Sequence, residues 1–360
     1  DHYFLAKTWG RVFILDTSDL STLAEIQTLP TREEVMQFVS DQMDEAIPAL
    51  PKIRPNQRED LPGAYTAYTA YAVKALANQE LENYQAVADA TGEIIKSGLF
   101  DLYPDFYELF KTPGKLSDES LMELQYSDYG QGSGEREAHL YAPYGPSSWT
   151  PAVSDASSGW GFYEPSLKYI RFMLDRGETA RLLTSVLFTP DGIAEIQQTP
   201  GYETLPDFVS NTTPDGDVIN NNVRALFSSG KHYLPSNSLI PGRTDYGSNK
   251  NYIMIRYAEI LLMYAEALTR GATGVGLTAD QAVNLVRARA DMPPLSGVTT
   301  QDVLDEKFAE LAMEWGVRFY DMIRVDNYQE LSYQGRSFNA DMELLPYPQQ
   351  QIDELPVLSK

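Results

Sequence analysis

The stretch NYIMIRYAEILLMYAEALTR, residues 251–270, decides the fold of this chain. Nearly every position from Ile253 to Leu268 is apolar, although two glutamates and one arginine lie among them. A helix that is apolar almost all round belongs in the middle of a protein. The stretch and its flanks therefore predict a buried helix over 252–272.

Glu259 and Glu266 of this stretch lie seven residues apart, on one helical face. At ~1.5 Å per residue they are ~10 Å apart along the axis, whereas glycosidase carboxylates lie ~5–5.5 Å or ~6.5–9.5 Å apart. Buried carboxylates persist when they are paired. The candidate partners are Arg256, Arg287, Arg289 and Arg318. We therefore predict structural ion pairs, and not catalysis, for both glutamates.

A second group of charges lies at spacings of three and four: Glu310, Glu314, Arg318, Asp321 and Arg324. These spacings predict ion pairs within one helix. Trp315 falls among them in helical register, which favours core packing over stacking on a ligand.

Other segments repeat apolar and small residues with the period of a helix. They cover residues 31–50, 63–79, 81–98, 278–291 and 303–324. Short helices rich in small residues, joined in pairs by tight turns, are typical of tetratricopeptide-like hairpins. The sequence therefore predicts a mainly α fold, a scaffold of such hairpins split by long irregular insertions.

The first insertion, residues 127–162, holds six glycines, seven serines and three prolines, which is the chemistry of loops. It also holds six aromatic residues. A second long irregular stretch covers 190–250. Long loops without periodicity are functional or disordered, and disordered tracts are poor in aromatic residues. We therefore expect the insertions to carry the ligand site.

Tryptophan and tyrosine rings stack on the apolar faces of sugars, while neighbouring polar groups bind the hydroxyls. The candidates for this role are Trp149, Trp160, Tyr144 and Tyr141, with Trp9 beside Gly10 as a further one. Their polar neighbours in sequence are Arg136, Asp155 and Ser158, and Tyr202, Tyr233 and Tyr246 are placed to line the same face. The alternative is that these rings form a small core that holds the insertion against the helices.

Composition excludes several classes of function. The chain has 360 residues, with 28 lysines and arginines against 51 aspartates and glutamates, so its net charge of −23 repels nucleic acid and anionic membranes. It has no cysteine, which excludes disulfides and thiolate sites. His2, His139 and His232 lack metal-ligand spacing. We predict no metal site and no cofactor.

Four motifs carry a family resemblance when taken in order: NYIMIRYAEILLMYAEAL, AVNLVRARADMP, ELAMEWGVRFYDMIR and ELLPYPQQQID. With GFYEPSLKYIRFMLDR upstream, the chain resembles the SusD/RagB family, the surface lipoproteins of Bacteroidetes nutrient-uptake systems. The resemblance covers essentially all of residues 1–360 and predicts a single SusD-like domain. The N-terminal portion of the family, with its lipidated cysteine, is apparently missing, and the ending LPVLSK departs from the family's usual finish.

The resemblance implies a glycan-binding protein of the cell outer membrane, exposed at the surface, that captures an oligosaccharide or polysaccharide for a SusC-like TonB-dependent transporter. It implies contact with the membrane only through an N-terminal lipid anchor not present in this chain, and no enzyme activity. Two alternatives remain: a peptide-binding member of the family, or a helical-repeat scaffold that binds proteins. A helical glycoside hydrolase is less favoured, because no acid/base pair supports it.

Overall fold

The computed structural model describes residues 1–15, 26, 28–126, 144–153, 156, 158–238 and 250–359. The α-helices within these ranges are α1 (His2–Trp9), α2 (Arg32–Ala46), α3 (Ala67–Glu80), α4 (Tyr84–Lys96), α5 (Phe106–Leu109), α6 (Leu167–Asp175), α7 (Ala180–Ser185), α8 (Pro190–Gln197), α9 (Tyr257–Thr269), α10 (Ala279–Arg289), α11 (Thr300–Leu311), α12 (Val317–Arg324), α13 (Tyr328–Leu331) and α14 (Gln349–Glu354). The strands are β1 (Ser120–Leu124), β2 (Trp149–Thr150), β3 (Val186–Phe188), β4 (Val218–Ile219), β5 (Phe227–Ser229) and β6 (Tyr252–Arg256).

Four of the scaffold helices begin at a threonine whose hydroxyl accepts a backbone N–H three residues on. These N-caps are Thr31, Thr66, Thr278 and Thr299, and each forms a reciprocal capping box. The box satisfies two of the backbone donors that a helix start leaves open. The local sequence therefore fixes where α2, α3, α10 and α11 begin.

The helices pack as consecutive hairpins, and the predicted mainly α scaffold is confirmed. Helix α3 lies against α2 and α4, and α9 lies against α4, α10 and α11. Small residues such as Ala72 and Ala75 let the helices approach closely, while the rings of Tyr68 and Tyr264 fill the space between them. Nearly every residue of α9 from Tyr257 to Ala267 is buried, as expected for its all-round apolar surface.

The prediction of a helix from residue 252 is wrong for its first five residues. Tyr252–Arg256 forms β6, which pairs antiparallel with β1 and places Arg256 opposite Ser120. Arg256 is extended, with φ −134° and ψ 160°, and α9 begins at the next residue. A short apolar run has no periodicity that separates a strand from a helix. Pairing with β1, more than 100 positions away, decided the outcome.

The prediction of one helix over 303–324 is also wrong. Helix α11 ends at Leu311, and Met313, Trp315 and Gly316 adopt positive φ angles of 67°, 43° and 72° before α12 begins. A left-handed backbone cannot continue a right-handed helix. Glu310 and Glu314 therefore do not share a helix with Arg318.

The charges at this break pair across elements instead of along one helix. Arg256 donates to Glu119 (2.8 Å) and Glu310 (2.5 Å), and it binds both carboxylate oxygens of Glu314 (2.8 and 2.9 Å). Arg289 donates to Glu119 and Glu310. Burial would raise the pKa of the Glu310 carboxyl, but the arginines around it hold that pKa well below its usual value.

The same network extends to a third arginine that pairs with Glu310. Arg181, fully buried, donates to Glu178, Glu306 and Glu310. Arg318 pairs instead with Glu330 at 2.9 Å. Of the intrahelical pairs expected from sequence, Asp321–Arg324 forms, at 2.8 Å.

The two stretches that were predicted to be irregular, 127–162 and 190–250, contain regular secondary structure. Residues 190–250 contain α8, β4 and β5, and β5 pairs with β3. In the first insertion β2 pairs with β4, with Trp149 opposite Ile219. The two stretches are thus joined by backbone hydrogen bonds. Among the described residues, no helix combines the length and the apolar character needed to cross a bilayer.

We expect Arg256→Ala to lower the free energy of unfolding by about 3–5 kcal/mol, because Glu119, Glu310 and Glu314 would lose a buried counter-charge. Urea unfolding followed by circular dichroism measures the change. The matched control is Lys96→Ala, which removes an exposed pair with Glu93 and should change stability by about 0.5 kcal/mol or less. Equal losses in the two variants would contradict the prediction.

Candidate ligand-binding surface

Backbone hydrogen bonds fold the end of the first insertion onto its middle. The Gly159 N–H donates to the Pro146 carbonyl (2.7 Å) and the Gly161 N–H to the Gly145 carbonyl (3.0 Å). A Cβ on Gly159 would lie 2.6 Å from the Gly145 oxygen, so no other residue fits. This close approach brings residues 160–163 beside Tyr144.

Trp160 and Phe162 project from this segment as an exposed aromatic pair. Their side chains are 40% and 63% exposed, and their ring centroids lie 5.6 Å apart with an interplanar angle of 51°. Exposed aromatic faces are suited to stacking on the C–H faces of a sugar. Trp160 is therefore placed where the sequence predicted a ligand-binding ring, and Phe162 is a neighbour that was not among the candidates.

Behind the exposed pair, three rings form a cluster: Tyr144, Tyr163 and His232. Their centroids lie 5.2–5.6 Å apart. His232 is buried; its Nδ1 lies 2.7 Å from the Ser229 hydroxyl, and its Nε2 lies 3.3 Å from the Tyr252 hydroxyl. Burial, with the lysines nearby, lowers the pKa of His232 well below its usual value. The cluster thus presents an uncharged imidazole to the two tyrosines.

Trp149 lies in a different environment. It is 9% exposed and packs with Leu187, Ile219 and Tyr233 in a small hydrophobic cluster, its indole perpendicular to the Tyr233 ring at 6.0 Å. This is the small core that the sequence left open as the alternative. It joins the first insertion to strands β3 and β4.

The remaining candidates do not all join the exposed pair. Trp9 is partly buried against the main helical core. Tyr202 donates its hydroxyl to Asp175 at 2.6 Å, and Tyr233 is fully buried. Tyr141, Tyr246, Arg136 and Asp155 lie outside the described residues.

The prediction that Trp315 packs in the core is wrong. Its side chain is 37% exposed, its Nε1–H donates to the Ile253 carbonyl (3.1 Å), and its ring contacts Tyr252 and Phe4. The break between α11 and α12 turns it outward. Sequence reasoning placed it by helical register, and the only local signal of the break was the following Gly316.

The two glutamates of residues 251–270 lie in different electrostatic environments. Glu266 is bound by Arg324 (2.7 Å), Arg270 (3.0 Å) and Lys307 (3.3 Å), which confirms its predicted structural ion pairing. Glu259 makes no ion pair with any residue that the structure describes, so its predicted ion pairing with Arg256, Arg287, Arg289 or Arg318 is wrong. Its carboxyl faces a cavity of about 40 Å³ that Asp321 also lines. Burial raises the pKa of Glu259 to about 7 against the opposing charges of Lys307, Arg256 and Lys7.

Metal-ligating side chains do not gather at this surface. In the described ranges, no group of three or more histidine, aspartate or glutamate residues is arranged to hold a metal ion. The surface offers aromatic faces, hydroxyls and amides. Such groups stack on sugar rings and form hydrogen bonds with their hydroxyls.

We expect Glu259→Gln to stabilise the protein at pH 8 and to have little effect at pH 5. The folded carboxyl keeps its proton to about pH 7, whereas the unfolded one releases it near pH 4.5. Stability is therefore lost as pH rises through this window, by about 1–3 kcal/mol for a half-buried group. Urea unfolding at both pH values tests it, with the exposed Glu33→Gln as control. A difference that does not change with pH would count against the assignment.

Trp149→Ala should lower the free energy of unfolding by about 3–5 kcal/mol, because it empties the centre of a packed cluster. Trp160→Ala removes an exposed ring and should cost about 0.5 kcal/mol. Thermal and urea unfolding distinguish the two residues. Equal stability of both variants would mean that Trp149 does not hold the insertion in place.

Comparison with known proteins repeatedly finds similarity to the SusD family. Residues 210–343 match the model of the SusD family. SusD-like protein P2 of Formosa agariphila is 26% identical over 343 residues, covering 90% of this chain and 62% of the relative. A SusD-like protein of Bacteroides ovatus is 21% identical, covering 89% of this chain and 56% of the relative. The chain thus spans about three fifths of the length of these relatives.

Solved structures share the fold over nearly the whole chain. Surface glycan-binding protein A from Bacteroides thetaiotaomicron, in complex with laminarihexaose, aligns with a TM-score of 0.75 and 23% identity, covering 99% of this chain and 74% of that one. A laminarin binding SusD-like protein aligns with a TM-score of 0.74 and 21% identity, covering 97% and 74%. The family match over residues 210–343 and the two relatives show similarity to the SusD family, and the solved structures show that the chain shares their fold.

Proposed function

We propose that this protein binds glycans at the surface formed by Trp160, Phe162, Tyr144 and Tyr163. The observation that carries the proposal is the exposed Trp160–Phe162 pair, on a segment that glycine-dependent backbone contacts hold beside Tyr144. Proteins with the same fold are named for binding glycans, one of them in complex with laminarihexaose. Two adjacent rings on a fixed backbone would lose little conformational entropy when they bind a sugar chain.

The other sequence candidates have supporting roles in this proposal. Trp149 holds the insertion in place from its hydrophobic cluster, and Tyr141 belongs to the same insertion as the binding rings. Trp9 supports the scaffold from α1. Residues 1–360 act as a single domain, and the stretches 127–162 and 190–250 carry and frame the ligand.

Similarity to the SusD family supports a wider role. The protein would be a lipoprotein of the outer membrane, exposed at the cell surface, and would pass its glycan to a SusC-like TonB-dependent transporter. It would act by capture alone. The two glutamates of α9 offer no acid/base pair, because Glu266 is held by three cations and Glu259 faces a cavity away from the insertion.

We expect Trp160→Ala and Phe162→Ala each to weaken glycan binding about tenfold, since a stacked ring contributes about 1.4 kcal/mol. Isothermal calorimetry against laminarihexaose and a panel of other oligosaccharides measures the effect. The matched control is Tyr65→Ala, which removes an exposed aromatic ring outside the insertions.

Unchanged affinity in both ring variants, with binding intact, would move the site elsewhere. Release of new reducing ends from any bound glycan would revive the hydrolase alternative. Binding of peptides without binding of glycans would favour the peptide-binding alternative.

A further inference from the structure

A cleft of about 470 Å³ begins at Glu164, two residues after Phe162 in the sequence. One side consists of residues 164–167, at the start of α6. The others are the turn at 222–227 and the turn at 333–336. The first of these segments follows the exposed pair closely in the sequence.

Two of the residues that line this cleft are arginines whose charge is not paired with any described residue. In the part of the chain that the structure describes, Arg224 and Arg336 are the arginines whose guanidinium groups have no hydrogen bond and no ion pair. Both are exposed. Carboxylates outnumber basic residues almost two to one in this chain, so two unpaired arginines in one cleft form an unusual concentration of available positive charge.

The turns that carry the arginines are fixed by their own hydrogen bonds. The Asn222 side chain accepts the Arg224 backbone N–H at 2.8 Å, and Tyr333 and Arg336 exchange backbone bonds of 2.9 and 3.0 Å. Glu164 accepts the N–H groups of Leu226 and Phe227 at 2.6 and 3.1 Å, which ties the insertion to the first turn. The cleft is therefore a built feature, with its guanidinium groups anchored at their base.

The start of α6 adds a second attraction for negative charge. Ser166, the N-cap residue, and Leu167, the first residue of the helix, both line the cleft. A helix N-terminus carries a partial positive charge. The one carboxylate among the lining residues is Glu164, which is engaged by the two backbone N–H groups. Two arginines and one glutamate leave the cleft locally positive.

We propose that the glycan this protein captures is acidic, with a uronate carboxylate or a sulfate ester bound in the cleft between Arg224 and Arg336 while a neighbouring sugar stacks on Trp160 and Phe162. The inference rests on the proposed function and names its substrate class. Guanidinium groups bind both kinds of oxyanion in a two-point geometry. The net charge of −23 acts at long range, where physiological salt screens it beyond about 8 Å, so the local arginines decide binding.

The test compares three oligosaccharides of equal length by calorimetry with the intact chain: an oligogalacturonate, a sulfated galactan oligosaccharide and the uncharged laminarihexaose. One acidic oligosaccharide should bind more tightly than the uncharged one. Arg224→Ala and Arg336→Ala should each weaken that binding about tenfold or more and leave any laminarihexaose affinity unchanged. Arg336→Lys should fall between, because lysine keeps the charge without the planar fork. Tighter binding of the oligogalacturonate would indicate carboxylate recognition, and tighter binding of the sulfated galactan oligosaccharide would indicate sulfate recognition.

Lys52→Ala is the matched control, because it removes one exposed positive charge outside the cleft and should leave all three affinities unchanged. Acidic binding that survives both arginine-to-alanine substitutions would overturn the inference. Binding of laminarihexaose alone, lost in Trp160→Ala, would uphold the proposed function and overturn the acidic preference. Failure of every glycan to bind would overturn both.

Discussion

The buried ion-pair network around Arg256 is the interaction on which the rest of the structure depends. Its guanidinium joins Glu119, just before β1, to Glu310 in the last turn of α11 and to Glu314 just after that helix. Removing any member leaves unpaired charge where water cannot compensate it. The network therefore fixes how β6, α9 and α11 pack against one another. The extended backbone before α9 and the break after α11 bring these carboxylates to one arginine, which straight helices would not do.

The same network positions the ligand-binding surface. Glu314 binds Arg256 and also Lys231 at 2.6 Å, and Lys231 precedes His232, the buried member of the ring cluster. The helical scaffold is thus connected to Tyr144 through one carboxylate, one lysine and one neutral imidazole. Irregular loops have few backbone bonds of their own, so they depend on such contacts for a fixed shape.

The exposed aromatic pair and the arginine-lined cleft differ in their chemistry. Stacking on Trp160 and Phe162 depends on the shape of a sugar ring and tolerates many sugars. Arg224 and Arg336 respond to charge, and they come from turns separated by more than a hundred residues. Sequence reasoning found Trp160 because an aromatic residue among glycines and serines is conspicuous. It did not find the two arginines, because nothing in their local sequence differs from an ordinary solvated turn.

The sequence by itself determined the helical hairpins, the buried position of α9 and the resemblance to the SusD family. These follow from local periodicity and hydrogen bonds within a few residues. Only the tertiary structure decided that 252–256 is a strand, that the helix breaks before Gly316, and that Glu310 pairs with Arg256 instead of Arg318. It also divided the tryptophans of the first insertion between a small core and an open face. These outcomes depend on contacts between distant segments, which compete with local preference and win because burying paired charge and aromatic surface is worth more.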